Sequence, residues 1–247
     1  MDITAKIETL KDMIMSSKRI AFLGGAGVST ESGIPDFRSE NGYFEAIRRF
    51  GYPPEELLSH TFFMRHTDVF YKYYRSALMV TSIKPNRAHY ALARLERMGR
   101  LTAVVTQNID GLHQLAGSRN VYELHGSIYR NHCMECGKSY TVEQLKDMPN
   151  VPMCSCGGVI KPDVVLYEEG LDADTLRAAI THITRADMLI VGGTSLNVYP
   201  ASGLIDYYKG NKLALINKSE TPYDYRADLI INGSIGMALD KATEGLE

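Results

Sequence analysis

Short apolar runs recur along the chain, and their hydrophobic residues do not alternate with polar ones. These runs cover residues 19–23, 101–106, 187–191 and 212–216, with a shorter one at 229–231. Strands of this kind are covered on both faces, as in parallel sheets with helices on each side. The runs therefore predict a parallel sheet, with residues 229–231 at an edge.

Helical patterns separate the apolar runs. Asn86 is a suitable N-cap for a helix over residues 87–98, and Gly99 would end it. Residues 234–243 predict a terminal helix. Strands and helices that alternate in this order are typical of a doubly wound parallel, Rossmann-like α/β fold.

Two stretches interrupt the alternation and predict a smaller lobe. Residues 41–83 are rich in aromatic side chains and favour an inserted helical module, and residues 129–160 hold all the cysteines and several turn residues. The Rossmann-like domain would then consist of residues 1–40, 84–128 and 161–247. A chain of 247 residues is long enough for both lobes.

Composition limits the partners and the location. The net charge of −2 gives no general attraction to nucleic acid or to an anionic membrane. No apolar run approaches the ~20 residues that span a bilayer. Charged residues such as Asp2, Lys6 and Lys11 interrupt the N-terminal segment, so it lacks the apolar core of a signal peptide. We expect a cytoplasmic, monomeric protein.

The four cysteines are clustered and predict a metal site. In a chain without an export signal, such clustering favours metal binding over disulfides. Their C-x-x-C and C-x-C spacing suits one tetrahedral zinc ion, and a redox pair or an empty site is the alternative. Four thiolates leave no open position on the metal, so the zinc would be structural. The proposed ligands are Cys133, Cys136, Cys154 and Cys156.

A glycine-rich loop follows the first predicted strand. Residues 24–29 read G-G-A-G-V-S. Glycines let the backbone approach a pyrophosphate, and the N-terminus of a following helix would stabilise its charge. Thr30 stands where the dinucleotide-binding pattern has its third glycine. A tight strand-to-helix turn explains the loop equally well.

The segment after the loop carries a rarer motif. Residues 33–38 read G-I-P-D-F-R, in which Asp36, Phe37 and Arg38 offer an acceptor, a ring face and a phosphate-matching guanidinium. A surface loop with a buried Phe is the alternative. With the glycine loop, this segment resembles the first signature of the sirtuin family, and most of the chain is similar to that family's bacterial NAD-dependent protein deacylases. The resemblance implies that NAD contacts Gly25, Ala26, Gly27, Thr30, Phe37 and Arg38.

A second sirtuin-like motif, T-Q-N-I-D-G-L-H, lies at the carboxyl end of a predicted strand. Asn108 and Asp110 have the donors and acceptors that a carboxamide needs, although they could equally cap a helix. The resemblance implies that Ile109 and Asp110 hold the nicotinamide. It also implies that Gln107 and Asn108 face the ribose.

The sequence E-L-H-G surrounds His125. A single histidine is more often structural, and we interpret His89, His113 and His182 in that way. His125 differs because it lies in a motif similar to the catalytic motif of sirtuins, and imidazole titrates near neutrality. The resemblance implies that His125 takes a proton from a ribose hydroxyl and that Asn108 shares in catalysis.

Two later segments resemble sirtuin binding segments. Residues 159–168 are similar to the stretch that lies along the acyl-lysine peptide, although this could simply be another sheet strand. The family often has F-G-E there, where this chain has Leu166-Tyr167-Glu168. The resemblance places Val164, Val165 and Leu166 at the peptide. It places Gly193, Thr194, Ser195, Asn217, Lys218 and Ile235 at the dinucleotide.

One segment predicts the acyl preference. Sirtuins that accept acidic acyl groups have Y-x-x-R in the helical insertion, and here Tyr71 would place Tyr74 at the arginine position. Arg75 is one residue out of register, and a helix turns it away by ~100°. Without the guanidinium a succinyl carboxylate lacks a partner, so we expect acetyl or other uncharged acyl groups.

The resemblance thus predicts an NAD-dependent lysine deacetylase that transfers the acyl group from lysine to ADP-ribose and releases nicotinamide. Its substrates would be acylated lysines of proteins. Transfer of ADP-ribose to protein is the alternative. A dehydrogenase would explain the glycine loop but not the cysteines, and a zinc-ribbon binding module would explain the cysteines alone.

Overall fold

The computed structural model describes residues 2–34 and 40–246. Within them the chain forms two sheets. The larger has six strands in the order β3-β2-β1-β7-β8-β9, and the smaller has three in the order β5-β4-β6. The strands are β1 (Ile20–Gly24), β2 (Leu101–Thr106), β3 (Val121–Glu123), β4 (Gly126–Cys133), β5 (Ser139–Thr141), β6 (Ile160–Val164), β7 (Met188–Gly192), β8 (Leu213–Asn217) and β9 (Leu229–Asn232).

All neighbouring strands of the larger sheet are parallel, which confirms the predicted fold class. β9 lies at one edge, as its short apolar run predicts. The helices are α1 (Ile3–Met15), α2 (Glu40–Phe50), α3 (Pro54–Leu57), α4 (His60–Arg65), α5 (Thr67–Ala77), α6 (Arg87–Arg97), α7 (Leu112–Leu115), α8 (Val142–Lys146), α9 (Ala173–Arg185) and α10 (Ile235–Thr243).

Helices cover both faces of the larger sheet. α1, α6 and α10 pack on one face, and α9 packs on the other with the 3₁₀ segment Ala201–Tyr207. Every residue of β1 and β7 is buried as a result. The double cover is the physical reason why these strands are apolar throughout rather than alternating.

The caps of α6 and α10 follow the predictions closely. The Asn86 side chain accepts a hydrogen bond from the backbone of Ala88, and the imidazole of His89 accepts one from the backbone N–H of Asn86. The helix ends just before Gly99, whose φ is +69°. The Ser234 hydroxyl caps α10 at its first turn.

The two inserted stretches have different structures. Residues 41–83 contain the helices α2 to α5 and no strand in their described part, as the sequence predicts. Their aromatic side chains form a separate core with residues of β4 and β6. The three-stranded sheet includes β4 and β6, so it extends beyond both ends of residues 129–160. The domain boundaries themselves stay a prediction.

None of the helices in residues 2–34 and 40–246 combines the length and apolar character needed to cross a bilayer.

Candidate active site

A cavity of about 400 Å³ lies where β1, β2 and β7 end. Gly24 is in register with Thr106 on one side and with Gly192 on the other. The residues that follow these three strands therefore converge at one edge of the sheet, which is where open α/β sheets bind ligands.

Predicted residues from five segments line this cavity. They come from the glycine loop, the segment after β2, the turn between β3 and β4, the end of β6 with the residues after it, and the segment after β7. The lining includes Gly25, Ala26, Gly27, Gln107, Asn108, Ile109, Asp110, His125, Val164, Val165, Leu166, Gly193, Thr194 and Ser195.

Four predicted dinucleotide residues do not line the cavity: Thr30, Asn217, Lys218 and Ile235. The Thr30 hydroxyl donates to the Gly27 carbonyl at 3.0 Å, and the Asn217 amide donates to the Thr194 carbonyl at 2.7 Å. Ile235 is buried, and Lys218 is exposed on the surface. The other two predictions in the first motif, Phe37 and Arg38, lie outside the described residues.

The glycine loop packs tightly against the segment after β7. The Gly27 N–H donates to the Gly193 carbonyl at 2.8 Å, and a Cβ added at Gly27 would lie 2.7 Å from the Gly193 Cα. Any side chain there would separate the two segments. The 3₁₀ turns Ala26–Val28 and Thr30–Ser32 follow Gly25, so the expected helix N-terminus is not formed directly after this loop.

Ser29 links the glycine loop to the segment after β2. Its hydroxyl donates to Asp110 Oδ2 at 2.7 Å and accepts from Asn108 Nδ2 at 3.0 Å. Asp110 Oδ1 accepts from the Leu112 N–H at 2.9 Å, so this carboxylate also caps the start of α7. Burial raises the pKa of Asp110, and the bonds from Leu112 and Ser29 oppose that shift.

Ser29 was not among the predicted site residues. Its position as the last residue of the G-G-A-G-V-S loop was the available signal, but a hydroxyl in a glycine loop has many possible partners. Only the fold shows that it meets Asn108 and Asp110.

His125 lies between β3 and β4, with its backbone joined to the end of β6. Its Nδ1 is 3.0 Å from the Gln107 carbonyl oxygen. A carbonyl can only accept, so Nδ1 carries the hydrogen in the neutral ring and Nε2 is the basic nitrogen. The Val165 N–H donates to the His125 carbonyl at 3.0 Å, which fixes the predicted peptide segment beside the imidazole.

Thr194 connects the segments after β2 and β7. Its hydroxyl accepts from Gln107 Nε2 at 3.1 Å and from the Leu196 N–H at 3.2 Å. Ser29 and Thr194 thus each hold polar groups of the segment after β2 by hydrogen bonds. Such bonds hold donors and acceptors in fixed positions for a ligand.

The apolar walls of the cavity were not predicted. They come largely from the helical module, which supplies Pro54, Leu58, Ala77, Leu78 and Val80, and from residues after the recognised motifs that follow β6 and β7. The lining residues that were not among the predicted site residues are Ser29, Ile34, Pro54, Glu55, Leu58, Ala77, Leu78, Val80, Tyr167, Glu168, Glu169, Leu171, Val198, Tyr199 and Pro200.

The residues of the acyl-preference prediction lie outside the cavity lining. Tyr71 and Tyr74 are buried in the aromatic core, and the Tyr71 hydroxyl donates to the Ile160 carbonyl. The Arg75 guanidinium contacts four backbone carbonyls of the cysteine-containing module. No lysine or arginine lines the cavity in the part of the chain that the structure describes.

The four cysteine sulfurs lie within 4.8 Å of one another. Cys133 and Cys156 are 3.4 Å apart at Sγ, and Cys136 and Cys154 are 3.6 Å apart. Sulfurs around a tetrahedral zinc ion, with bonds of about 2.3 Å, are separated by about 3.8 Å. These four residues fit zinc and could hold one ion, because their sulfur separations are close to that value. The distances are also far too long for a disulfide bond.

The surroundings of the cysteines also favour thiolate ligands. The backbone N–H of Cys156 and then the Tyr140 hydroxyl, 3.0 Å away, lower the pKa of Cys154 well below its usual range. Gly137 and Gly157 have φ values of +69° and +90°, and their N–H groups donate to the carbonyls of Cys133 and Cys154. These turns aim each pair of sulfurs at one point.

Comparison with known proteins gives consistent matches. The profile of the Sir2 family matches residues 25–200. A protein of Clostridium acetobutylicum named an NAD-dependent protein deacetylase is 60% identical over 237 residues, which cover 95% of this chain and 97% of that protein.

Solved structures match over nearly the whole chain. A Sir2 structure with a p53 peptide and NAD⁺ has a TM-score of 0.85 and 39% identity, covering 96% of this chain and 97% of that one. A second Sir2 structure, with a deacetylated p53 peptide and 3′-O-acetyl-ADP-ribose, has a TM-score of 0.86 and 38% identity, with coverage of 96% and 97%.

Proposed function

The chain belongs to the Sir2 family, and from that premise we propose that it is an NAD-dependent protein lysine deacetylase. It transfers the acyl group from an acylated lysine to ADP-ribose, and nicotinamide is released. The observation that carries the proposal is the position of His125. This imidazole lines the same cavity as the glycine loop and the predicted peptide segment, and it is bonded to the Gln107 carbonyl.

The related structures favour deacetylation over transfer of ADP-ribose to protein. One of them holds a deacetylated peptide together with acetylated ADP-ribose, which are the two products of acyl transfer. ADP-ribosylation would instead leave the sugar attached to the target.

The cavity fits NAD by the chemistry of its lining. Glycine backbone, amides and hydroxyls offer donors to phosphate and ribose, and Asp110 with Asn108 offers partners to a carboxamide. When bound, NAD supplies an anomeric carbon whose bond to nicotinamide can break. We assign the dinucleotide to Gly25, Ala26, Gly27, Thr30, Phe37, Arg38, Gln107, Asn108, Ile109, Asp110, His125, Gly193, Thr194, Ser195, Asn217, Lys218 and Ile235.

His125 acts as the base. With Nδ1–H held by the Gln107 carbonyl, Nε2 can accept a proton from a ribose hydroxyl. Asn108, fixed by its bond to Ser29, orients the reacting groups beside it. Val164, Val165 and Leu166 bind the peptide backbone on the far side of the imidazole.

The four cysteines hold a structural zinc ion in this proposal. The ion supplies a fixed point around which the C-x-x-C and C-x-C turns fold, and the four thiolates complete its coordination. We also propose a cytoplasmic, monomeric protein that binds neither nucleic acid nor membrane, in line with the net charge of −2.

The proposal is tested by incubating the purified protein with NAD and a peptide containing acetyl-lysine, and identifying the products by mass spectrometry. We expect the peptide with a deacetylated lysine, together with nicotinamide and O-acetyl-ADP-ribose. A target that gains ADP-ribose and keeps its acetyl group would instead support the transferase.

A matched succinyl-lysine peptide tests the acyl preference. We expect faster turnover of the acetyl peptide, because the described lining of the cavity offers no cation to a succinyl carboxylate. Faster desuccinylation would contradict this.

A further inference from the structure

Glu168 has a backbone conformation that favours glycine. Its φ is +76°, and Leu196 is the only other non-glycine residue with positive φ in residues 2–34 and 40–246. Side chains with a Cβ rarely adopt this region because the Cβ crowds the backbone. Glu168 therefore keeps this conformation at a cost, and other contacts must stabilise it.

The contacts of Glu168 all involve the beginning of α4. Its carboxylate Oε2 accepts from the Thr61 backbone N–H at 2.9 Å and from the Thr61 hydroxyl at 2.7 Å. These two bonds, and to a smaller extent the electrostatic effects of nearby His60 and Arg65, lower the pKa of Glu168. The carboxylate is thus charged at neutral pH and joins the segment after β6 to the helical module.

The backbone of Tyr167, just before Glu168, is bonded to the same part of the helical module. The Tyr167 N–H donates to the Leu58 carbonyl, and the His60 N–H donates to the Tyr167 carbonyl, both at 3.0 Å. Tyr167 and Ser59 form an isolated parallel bridge. This short pairing has only two main-chain bonds, so its stability depends on additional contacts such as that of Glu168.

Glu169 holds the end of β6 and the residues after it through three side-chain contacts. Its Oε2 accepts from the Leu166 N–H at 2.9 Å and lies 3.1 Å from Lys161 Nζ, while Oε1 is 2.9 Å from His60 Nδ1. This carboxylate fixes the end of β6. Its contact with α4 is through the His60 side chain, whereas Glu168 bonds both the backbone N–H and the hydroxyl of Thr61.

At its other end the segment is attached to His125 through the Val165 N–H. Residues 164–169 therefore run along the cavity from the imidazole to α4, and all six line it. An extended peptide that pairs with this segment needs its backbone in a fixed position. A loose segment would have to be ordered on binding, which weakens affinity.

We propose that Glu168 is a positioning residue that fastens residues 164–169 to the start of α4 and thereby sets the affinity for the acylated peptide. The effect on the peptide depends on the proposed function, in which this segment binds the substrate. None of residues 164–169 is among those assigned to the dinucleotide, so we expect the affinity for NAD to be independent of Glu168.

Two substitutions at this position separate positioning from folding. Glu168→Gly removes the carboxylate, and glycine accommodates the positive φ without strain, so the fold is kept. Glu168→Gln keeps an oxygen that can accept both bonds from Thr61. We expect the peptide KM of Glu168→Gly to rise about fivefold, with the NAD KM unchanged, and Glu168→Gln to restore it to within about twofold of wild type.

Hydrogen–deuterium exchange measures how firmly residues 164–169 are held, independently of enzyme turnover. In Glu168→Gly, the amides of Val165, Leu166 and Tyr167 should exchange faster than in the wild type and in Glu168→Gln. If the wild type has no deacetylase activity, the proposed function fails while the exchange still decides whether Glu168 orders the segment. An active Glu168→Gly enzyme with unchanged peptide KM and unchanged exchange would overturn the proposal. A rise in the NAD KM equal to that of the peptide would overturn it as well.

Discussion

At the scale of single residues, two buried histidines connect stability to pH. The rings of His89 and His113 are 4.7 Å apart, and both side chains are almost fully buried. Burial lowers the pKa of His89 from 6.5 to about 4. Burial also lowers the pKa of His113, and the nearby His89 makes a smaller contribution in the same direction. Both are therefore neutral in the folded protein at pH 7, as expected of structural histidines.

We predict that the folded state loses stability as the pH falls from about 6.5 to about 4. In this window the unfolded chain binds protons that the folded chain cannot accept, so protonation favours unfolding. For His89 alone the loss between pH 7 and pH 5 is about 2 kcal/mol. Urea unfolding at the two pH values measures it.

His89→Gln is the matched variant for this prediction. A glutamine can still accept the hydrogen bond from the Asn86 N–H that His89 accepts, but it does not titrate. Its stability should depend less on pH than that of the wild type. A pH dependence identical to that of the wild type would show that His89 is not responsible.

The sequence predicted those site residues that stand in short recognisable motifs. It did not predict residues whose role depends on partners far away in the chain. Asn108, Asp110 and His125 stand in short motifs at strand ends, and the fold brings all three to one cavity. Ser29 could not be assigned, because its partners are about eighty positions away in the chain. The comparison of F-G-E with Leu166-Tyr167-Glu168 puts Tyr167 at the glycine position, but the residue with positive φ is Glu168. A backbone dihedral angle cannot be read from the sequence.

At the scale of secondary structure, Arg75 of α5 joins the helical module to the cysteine-containing module. Its guanidinium donates to the carbonyls of Leu145, Met148, Pro149 and Asn150. These carbonyls are at and just after the end of α8, where helices leave acceptors without partners. A planar group with five donors satisfies several of them at once.

We predict that Arg75→Met lowers the free energy of unfolding by about 2 kcal/mol, because it leaves partly buried carbonyls without a donor. Lys72→Met on the same helix is the control, since Lys72 is exposed and forms an exposed ion pair with Asp68. Its effect should be within about 0.5 kcal/mol. Equal unfolding midpoints for both variants would contradict the role of Arg75.

Five strands of the larger sheet were predicted within one residue, whereas β3 was not predicted and β6 was only the alternative for residues 159–168. Buried strands such as β1 and β7 carry continuous apolar runs that only a covered sheet explains. β3 has three half-buried residues, and β6 contains Lys161 and Pro162. Neither has a hydrophobic pattern, because their pairing is decided by contacts with distant parts of the chain.

At the scale of the whole molecule, the account requires one zinc ion per chain. We predict about one equivalent of zinc in the wild type and less than about a tenth in Cys154→Ser, measured by plasma mass spectrometry. Thermal unfolding of Cys154→Ser should occur at a lower temperature, because metal binding and folding are coupled.

The neighbouring Ser155→Ala serves as the control for metal content. Ser155 lies between two of the cysteines and is exposed, and its hydroxyl is 4.0 Å from Cys154 Sγ. This variant should retain its zinc. A wild type that is purified without zinc, or a Cys154→Ser protein that is as stable as the zinc-containing wild type, would contradict a structural ion.

The arrangement of the two lobes around the cavity was only partly visible in the sequence. The motifs predicted the polar side of the cavity, but Pro54, Leu58 and Leu78 reach it from the helical module. Packing of that module brings these three residues to the cavity, and no local sequence pattern predicts it.

The most direct test of the account is the rate of nicotinamide release from NAD in the presence of an acetyl-lysine peptide. The measurement compares wild type, His125→Ala and His182→Gln, which alters a histidine that contacts Tyr122 away from the cavity. We predict that His125→Ala folds normally and loses at least about 100-fold in kcat, and that His182→Gln stays within about twofold of wild type. A folded His125→Ala protein that retains more than about a tenth of wild-type turnover would contradict a base at this position.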